Sequence, residues 1–241
     1  MYPGNKKKIK AVCYKLVLFG LVLFLITHLS SCSKGGSASP TGLNIEYEVL
    51  NLSPDMLPVS LFIANKQVNS SPYIFGVLQG YFYLPATTVP FQIRSVEYSG
   101  TTYLSRSDVL ASGAKYSLFI VGSLGDGSDT TIFTVDTAVA PSPGRGKIRF
   151  VDASPSATRG LDVFANGTSL FSNIAYQKIS AYVEVPVGNY DLQIQPTGIS
   201  TVIKELTPVT IQDGRLYTLY TYGSTARADS AAFNAAVITN K

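Results

Sequence analysis

An all-β fold, with two tandem immunoglobulin-like β-sandwich domains behind an N-terminal signal segment, follows from three features of this 241-residue sequence. The chain matches itself, without gaps, at a shift of 101 residues. Short alternations of apolar and polar residues recur along it, separated by residues suited to tight turns. No helix-period stretch of ten or more residues lies between them, which speaks against βαβ units. The length allows one or two domains with a sizeable core. A content of 46% apolar and 14% charged residues excludes a disordered chain.

The repeat is legible pair by pair. Ser53-Pro54 falls on Ser154-Pro155, Ala64-Asn65 on Ala165-Asn166, Tyr81 on Tyr182 and Pro85 on Pro186. Gln92-Ile93 falls on Gln193-Ile194, Tyr116 on Tyr217, Leu118 on Leu219 and Gly122-Ser123 on Gly223-Ser224. Other pairs exchange like for like, such as Leu50 with Val151 and Phe119 with Tyr220. One ungapped register of this kind indicates a tandem duplication.

Each copy patterns as strands. Leu43, Ile45, Tyr47 and Val49 alternate with Asn44, Glu46, Glu48 and Leu50, the period of a strand buried on one face. Further strands are expected in the first copy at 58–64, 80–84, 90–97, 102–105, 115–121 and 130–135. In the second they are expected near 147–151, 161–165, 180–185, 189–195, 201–206 and 216–222, with a last one over the Ala-rich 228–237. Asn166-Gly167, Gly188-Asn189 and Asp213-Gly214 supply residues that tolerate positive φ between them. Short strands at this spacing read as sandwiches. Two Gly/Ser/Pro-rich stretches set the boundaries: a tether over 32–42, a first sandwich over 43–136, a linker over 137–146 and a second sandwich over 147–241.

The second copy carries a family likeness. The run Ile148-Arg149-Phe150-Val151-Asp152-Ala153-Ser154-Pro155, then Leu161 to Gly167, Phe171 to Tyr176 and Ala181 to Tyr190, resembles the bacterial domain of unknown function numbered 4397. The likeness is close over 147–223 and looser over 45–123. It implies a secreted or lipid-anchored envelope protein, in which tandem copies are common, and it supplies no reaction. Members of that family often place His where this chain has Asp152, and Asn51 in the first copy.

Residues 1–31 read as a secretory signal: a Lys-rich start, then an apolar run from Leu16 to Leu29. Fourteen helical residues span about 21 Å, short of the ~30 Å hydrocarbon core, which favours a cleaved segment over a permanent span. Leu29-Ser30-Ser31-Cys32 looks like a bacterial lipobox, in which the Cys32 thiol takes a diacylglyceryl group and becomes the new N-terminus. Multiple acyl chains, at ~0.8 kcal/mol per buried methylene, would hold the chain to a membrane. Ser33 after the cysteine favours the outer membrane, and the periplasmic and surface faces both remain open. The only other cysteine is Cys13, so the mature chain has no disulfide and its cores must hold it.

The net charge of +4 belongs to the leader, where Lys6, Lys7, Lys8, Lys10 and Lys15 have no acidic neighbour. The rest carries 14 basic residues (19 − 5) against 15 acidic, which removes the electrostatic footing for nucleic acid. The single histidine, His28, is also in the leader, so Ser–His or Cys–His catalysis and a His/Cys zinc site are not expected. No cofactor and no catalytic residue is assigned. The expectation is a non-catalytic binding or adhesion module that meets a glycan or an envelope protein. A structural accessory of an outer-membrane assembly is the alternative, and a histidine-independent glycan-processing enzyme the more distant one. Candidate ligand-facing aromatics are Tyr217, Tyr220 and Tyr222, the last two on one strand face. Asp129-Thr130-Thr131, Asp136-Thr137-Ala138 and Asp229-Ser230-Ala231 resemble the Asp-Ser/Thr-small pattern O-glycosylated in some Bacteroidota, making Thr130, Thr137 and Ser230 candidate acceptors. Asp126-Gly127-Ser128-Asp129 offers oxygens to calcium, but too few, and reads better as a hairpin turn.

Cells fed an alkynyl palmitate should label this polypeptide, and Cys32→Ala should abolish the label. An unlabelled wild-type chain overturns the anchor.

Overall fold

The computed structural model describes residues 44–85, 90–98, 100–155 and 159–240. The signal segment and Cys32 lie outside them. Among the described residues no helix is long and apolar enough to cross a membrane.

The first copy contains β1 (Asn44–Asn51), β2 (Val59–Ile63), β3 (Lys66–Gln67), β4 (Phe82–Pro85), β5 (Phe91–Ser95), β6 (Thr102–Arg106), β7 (Lys115–Val121) and β8 (Thr130–Val135). One sheet runs β4-β1-β7-β8 and the other β3-β2-β5-β6. The second copy contains β9 (Arg145–Asp152), β10 (Leu161–Ala165), β11 (Thr168–Ile174), β12 (Val183–Pro186), β13 (Gly188–Pro196), β14 (Lys204–Ile211), β15 (Leu216–Tyr222) and β16 (Asn234–Thr239). Its sheets, β12-β9-β15-β16 and β11-β10-β13-β14, repeat the same order. The two tandem β-sandwiches are therefore present. In each, the first strand runs parallel to the seventh at the centre of its sheet, Glu46 opposite Lys115 and Lys147 opposite Leu216. An antibody constant domain orders its strands differently.

Each sandwich closes on alternate residues of facing strands. Ile45, Tyr47 and Val49 meet Val59, Leu61, Phe91 and Ile93, and the Tyr47 ring stacks on Phe91 at 5.0 Å. Ile148 and Phe150 meet Leu161, Val163, Leu192 and Ile194 in the second copy. Tyr116 and Tyr217 tie each core to the preceding turn, their hydroxyl oxygens accepting the Ala111 and Gln212 N–H groups at 2.7 and 3.0 Å.

The other face of the β4-β1-β7-β8 sheet is covered over its central strands. Leu50, Leu52, Phe119, Val121 and Ile132 form one buried cluster with Val151, Ala153, Tyr220 and Ile238 of the second copy. This corrects the expectation that β1 is buried on one face: from Tyr47 to Asn51 every residue is buried. The same holds over Ile148–Asp152 and Leu216–Thr221. Equivalent surfaces meet, since Phe119 and Tyr220 are duplicates of one position and lie 5.6 Å apart, ring to ring. The joint is thus a pseudo-twofold contact of one surface with its own copy.

The duplication is not gapless. β2 pairs Val59 with Ser95 and Ile63 with Phe91, while β10 pairs Leu161 with Pro196 and Ala165 with Leu192. β5 and β13 keep the 101-residue offset, but β2 and β10 differ by 102. A one-residue slip turns every side chain to the opposite face, so Ala64 and Ala165 are not equivalent: Ala64 sits in the turn at φ 48°, where the second copy has Asn166, also at 48°. Elsewhere β3 and β11 were not anticipated, because they are short or largely exposed edge strands. The strand expected at 201–206 is β14, over 204–211. The Ala-rich 228–233 is a turn, and the last strand begins only at Asn234. Arg145 and Gly146, expected in the linker, already belong to β9. A Cβ on Gly146 would lie 2.6 Å from Ile211.

Gly122 and Gly223 hold equivalent tight bends. A Cβ there would approach the Ser128 and Ala232 carbonyl oxygens to 2.3 Å, at φ +88° and +73°. Each Gly→Ala change should cost at least about 2–3 kcal/mol in denaturant melts. Gly214→Ala, at φ +72° with no atom within 4 Å, should cost only about 1 kcal/mol.

Candidate functional site

The joint holds a buried polar layer beside its apolar cluster. Asp136, at the end of β8, is the acceptor at its centre. Ser117 Oγ donates to Oδ2 at 2.7 Å, Thr134 Oγ1 to Oδ1 at 2.7 Å and the Tyr81 hydroxyl to Oδ2 at 2.8 Å. From the other copy, Arg149 Nη2 forms an ion pair with Asp136 Oδ1. The same guanidinium donates through Nε to Thr218 at 2.9 Å and through Nη1 to the Val135 carbonyl at 2.9 Å, and it lies over the Tyr182 ring at 4.8 Å. Asn240 closes the layer, donating to the Tyr81 hydroxyl at 2.7 Å and accepting from Thr218 at 2.7 Å. The bonds between the copies range from Arg149 with Asp136, 13 positions apart, to Tyr81 with Asn240, 159 apart.

Glu48 is the counterpart of Arg149 in the first copy, and it has no such partners. Its side chain is fully buried and neither carboxylate oxygen completes a hydrogen bond of normal geometry. Burial, and then the Asp136 charge, push its pKa up to about 7, with the Gly80 backbone and Lys115 pulling back more weakly. Asp152, where the family often has His, is also fully buried: Oδ1 accepts from Ser154 N at 3.0 Å and from Thr221 at 2.8 Å, Oδ2 has no partner, and burial raises its pKa to about 6. That position ties down a loop and offers no base to a substrate.

The candidate aromatics need correction. Tyr217 is a core residue of the second sandwich, and Tyr220 lies inside the joint, 4% and 2% exposed. Tyr222 packs half-buried at the rim of the joint, its ring 5.9 Å from Phe75. None stands on a free strand face: Tyr217 is covered by the second sandwich's own facing sheet, and Tyr220 and Tyr222 by the first copy. Thr130 is half-buried at the start of β8, and Thr137 is exposed with its Oγ1 accepting the Lys115 N–H at 2.8 Å. Ser230 is exposed in the turn before β16. In the acidic loop, Asp126 Oδ1 is taken by the Ser128 N–H at 2.9 Å. Among the described residues no three His, Cys, Asp or Glu side chains gather as a metal site.

The cavities among the described residues include two of more than 400 Å³. One of about 420 Å³ opens at the joint between Glu46, Lys115, Asp136, Leu216 and Asn240, and its exposed charges are already paired, Lys115 Nζ to Glu46 at 2.7 Å. The other, about 480 Å³, lies on the outer face of the β3-β2-β5-β6 sheet and contains Arg94.

Glu48 must be ionised or protonated inside the joint, so stability depends on pH. Its pKa is raised on folding, so its contribution is complete below the unfolded value near 4.5 and is lost as pH rises through about 7. Glu48→Gln should flatten the fall in melting temperature between pH 5 and 8, about 3 kcal/mol in scale. Asp136→Asn, which strands the Arg149 charge, should instead destabilise by about 3–5 kcal/mol.

A family profile described as a domain of unknown function, DUF4397, matches residues 46–159 and again 156–241. The first match runs on through β9, a strand that belongs to the second sandwich. No curated protein matches the chain. Among solved structures, the C-terminal domain of AlgF from P. aeruginosa is similar at 16% identity, over 41% of this chain and 99% of that one, with a TM-score of 0.28. The paired profile matches and the repeated sandwich make this chain a member of the DUF4397 family, carrying two tandem copies of the domain.

Proposed function

We propose that this chain is a lipid-anchored, non-catalytic binding protein of the bacterial outer membrane, in which two sandwiches act as one body and meet a glycan or an envelope protein. The observation that carries the reading is the joint. It consumes one sheet face from each sandwich, so the outer sheets and the turns at their ends are what the molecule offers a partner. The Leu29-Ser30-Ser31-Cys32 motif supports the anchor and the Gly/Ser-rich segment after it supports reach from the membrane. A non-catalytic role is supported by the chemistry on hand: residues 44–240 contain no histidine, and the carboxylates with raised pKa, Glu48 and Asp152, are closed inside the protein.

The same joint supports a second reading, a structural accessory of a membrane assembly. A flexible pair of domains would gain affinity by engaging two sites independently, whereas two domains sharing a buried ion pair behave as a spacer of fixed geometry.

Protease treatment of intact cells, read by mass spectrometry, should release peptides from the exposed turns if the protein faces outward. In-cell cross-linking should then capture a glycan or a reproducible envelope neighbour. Absence of any reproducible neighbour, with no phenotype on deletion, overturns both readings.

A further inference from the structure

We infer that the outer face of the first sandwich carries an oxyanion-binding cleft built on Arg94, a site the second sandwich has lost. This rests on the reading of the outer sheets as binding surfaces and names the chemistry of one of them. The cleft, about 480 Å³, falls in the range of small-ligand sites. Its floor is β2 and β5, where Ser60 pairs across the strands with Arg94, and Phe62 with Gln92. Its walls are Ser70 and Pro72 on one side and Val96 and Gly100 on the other.

The groups in the cleft are donors without acceptors. Arg94 lies over the Phe62 ring at 4.5 Å and donates through Nη2 to Gln92 Oε1 at 2.5 Å. These contacts fix the plane of the guanidinium. Its Nε is buried and has no hydrogen-bond partner among the described residues. The Ser60 oxygen accepts from Asn69 Nδ2 at 3.3 Å, which leaves its proton uncommitted. Among the described residues that line the cleft none is acidic, and Arg94 alone carries a formal charge. A half-buried guanidinium held flat, with an unspent Nε–H and a hydroxyl across the strand, suits an oxygen-bearing anion: a carboxylate, phosphate or sulfate group. Pre-organisation by Phe62 and Gln92 lowers the cost of ordering the long side chain on binding.

The duplicate provides a built-in comparison. At the place of the Ser60–Arg94 pair the second sandwich has Asp162 opposite Gln195, while Phe164 opposite Gln193 repeats Phe62 opposite Gln92. The cation is gone and a carboxylate stands beside its place. Asp162 Oδ1 is itself occupied, accepting from Asn173 N at 2.7 Å and Thr197 at 2.8 Å. Two copies of one scaffold thus carry opposite charge at one cross-strand pair, a cation on the second strand of it in the first copy and a carboxylate on the first strand of it in the second.

The test is calorimetric titration of the full chain in detergent micelles, at low salt, with glucuronate, inorganic phosphate and glucose, and hydrogen exchange to place any site. Saturable binding of glucuronate or phosphate, none of glucose, and protection over 60–73 and 91–98 but not around Asp162 is the expected result. Which anion binds more tightly separates an acidic-sugar source from a phosphate source. Arg94→Gln should weaken binding about tenfold or more. Gln92→Glu should do the same by neutralising the guanidinium from beneath, with little change of side-chain size and a melting temperature to confirm folding. No binding of either anion, binding unchanged in both variants, or equal protection at Asp162 overturns the proposal. Anion binding without an in-cell partner would sink the broader envelope reading and leave the cleft standing, and the reverse outcome would do the opposite.

Discussion

The ion pair between Arg149 and Asp136 is the constraint on which the arrangement of the two sandwiches depends. A buried pair repays its desolvation only when both partners are fully bonded. Here all three Arg149 nitrogens donate, and both Asp136 oxygens accept from the first copy's own hydroxyls. The pair therefore orients one copy on the other, while the apolar cluster around Phe119 and Tyr220 supplies the attraction. Oily contact alone would tolerate sliding. The polar layer fixes the register.

Duplication explains the unequal fates of Glu48 and Arg149. Both descend from one position and both point into the joint, yet only one found partners. Asp136 and Asn240 also occupy matching places, their N–H groups bonded to the Lys115 and Leu216 carbonyls at the ends of their sheets. Asp136 takes the arginine, whereas the Asn240 amide is spent on Tyr81. Glu48 is left in a dry place with a raised pKa. A symmetric interface became a directional one through a few side chains on unchanged strands.

The outer faces diverged in the other direction. Inner strands β1, β7, β9 and β15 are buried on both sides over most of their length, and apart from Glu48 and Arg149 their differences are mostly among residues that pack. Ser60 and Arg94 against Asp162 and Gln195 show the freedom of the outer sheets, where a change of charge disturbs no core. The outer sheets thus differ in charge between the copies on the surfaces that face away from the joint.

Strand content, the tandem repeat and the β-sandwich class were all determined by local sequence, since alternation and turn residues act over a few positions. Ile45, Tyr47 and Val49, one face of the alternation, lie in the core for that reason. Glu48 reads in sequence as a solvent-facing residue of an alternating strand, and Tyr220 as an exposed aromatic. Both are buried because a second domain covers their sheet, and no window of sequence contains the cover. The one-residue offset between β2 and β10 was likewise invisible, since Ala-Asn recurs in both copies and only hydrogen-bond register shows which residue turns the chain. Arg94 gave no signal as a lone cation in a strand. Its meaning comes from Phe62, Gln92 and Ser60 set around it by pairing of strands roughly thirty residues apart. Tertiary structure decided what each face of a sheet meets, because burial is a property of the partner surface and not of the strand that presents it.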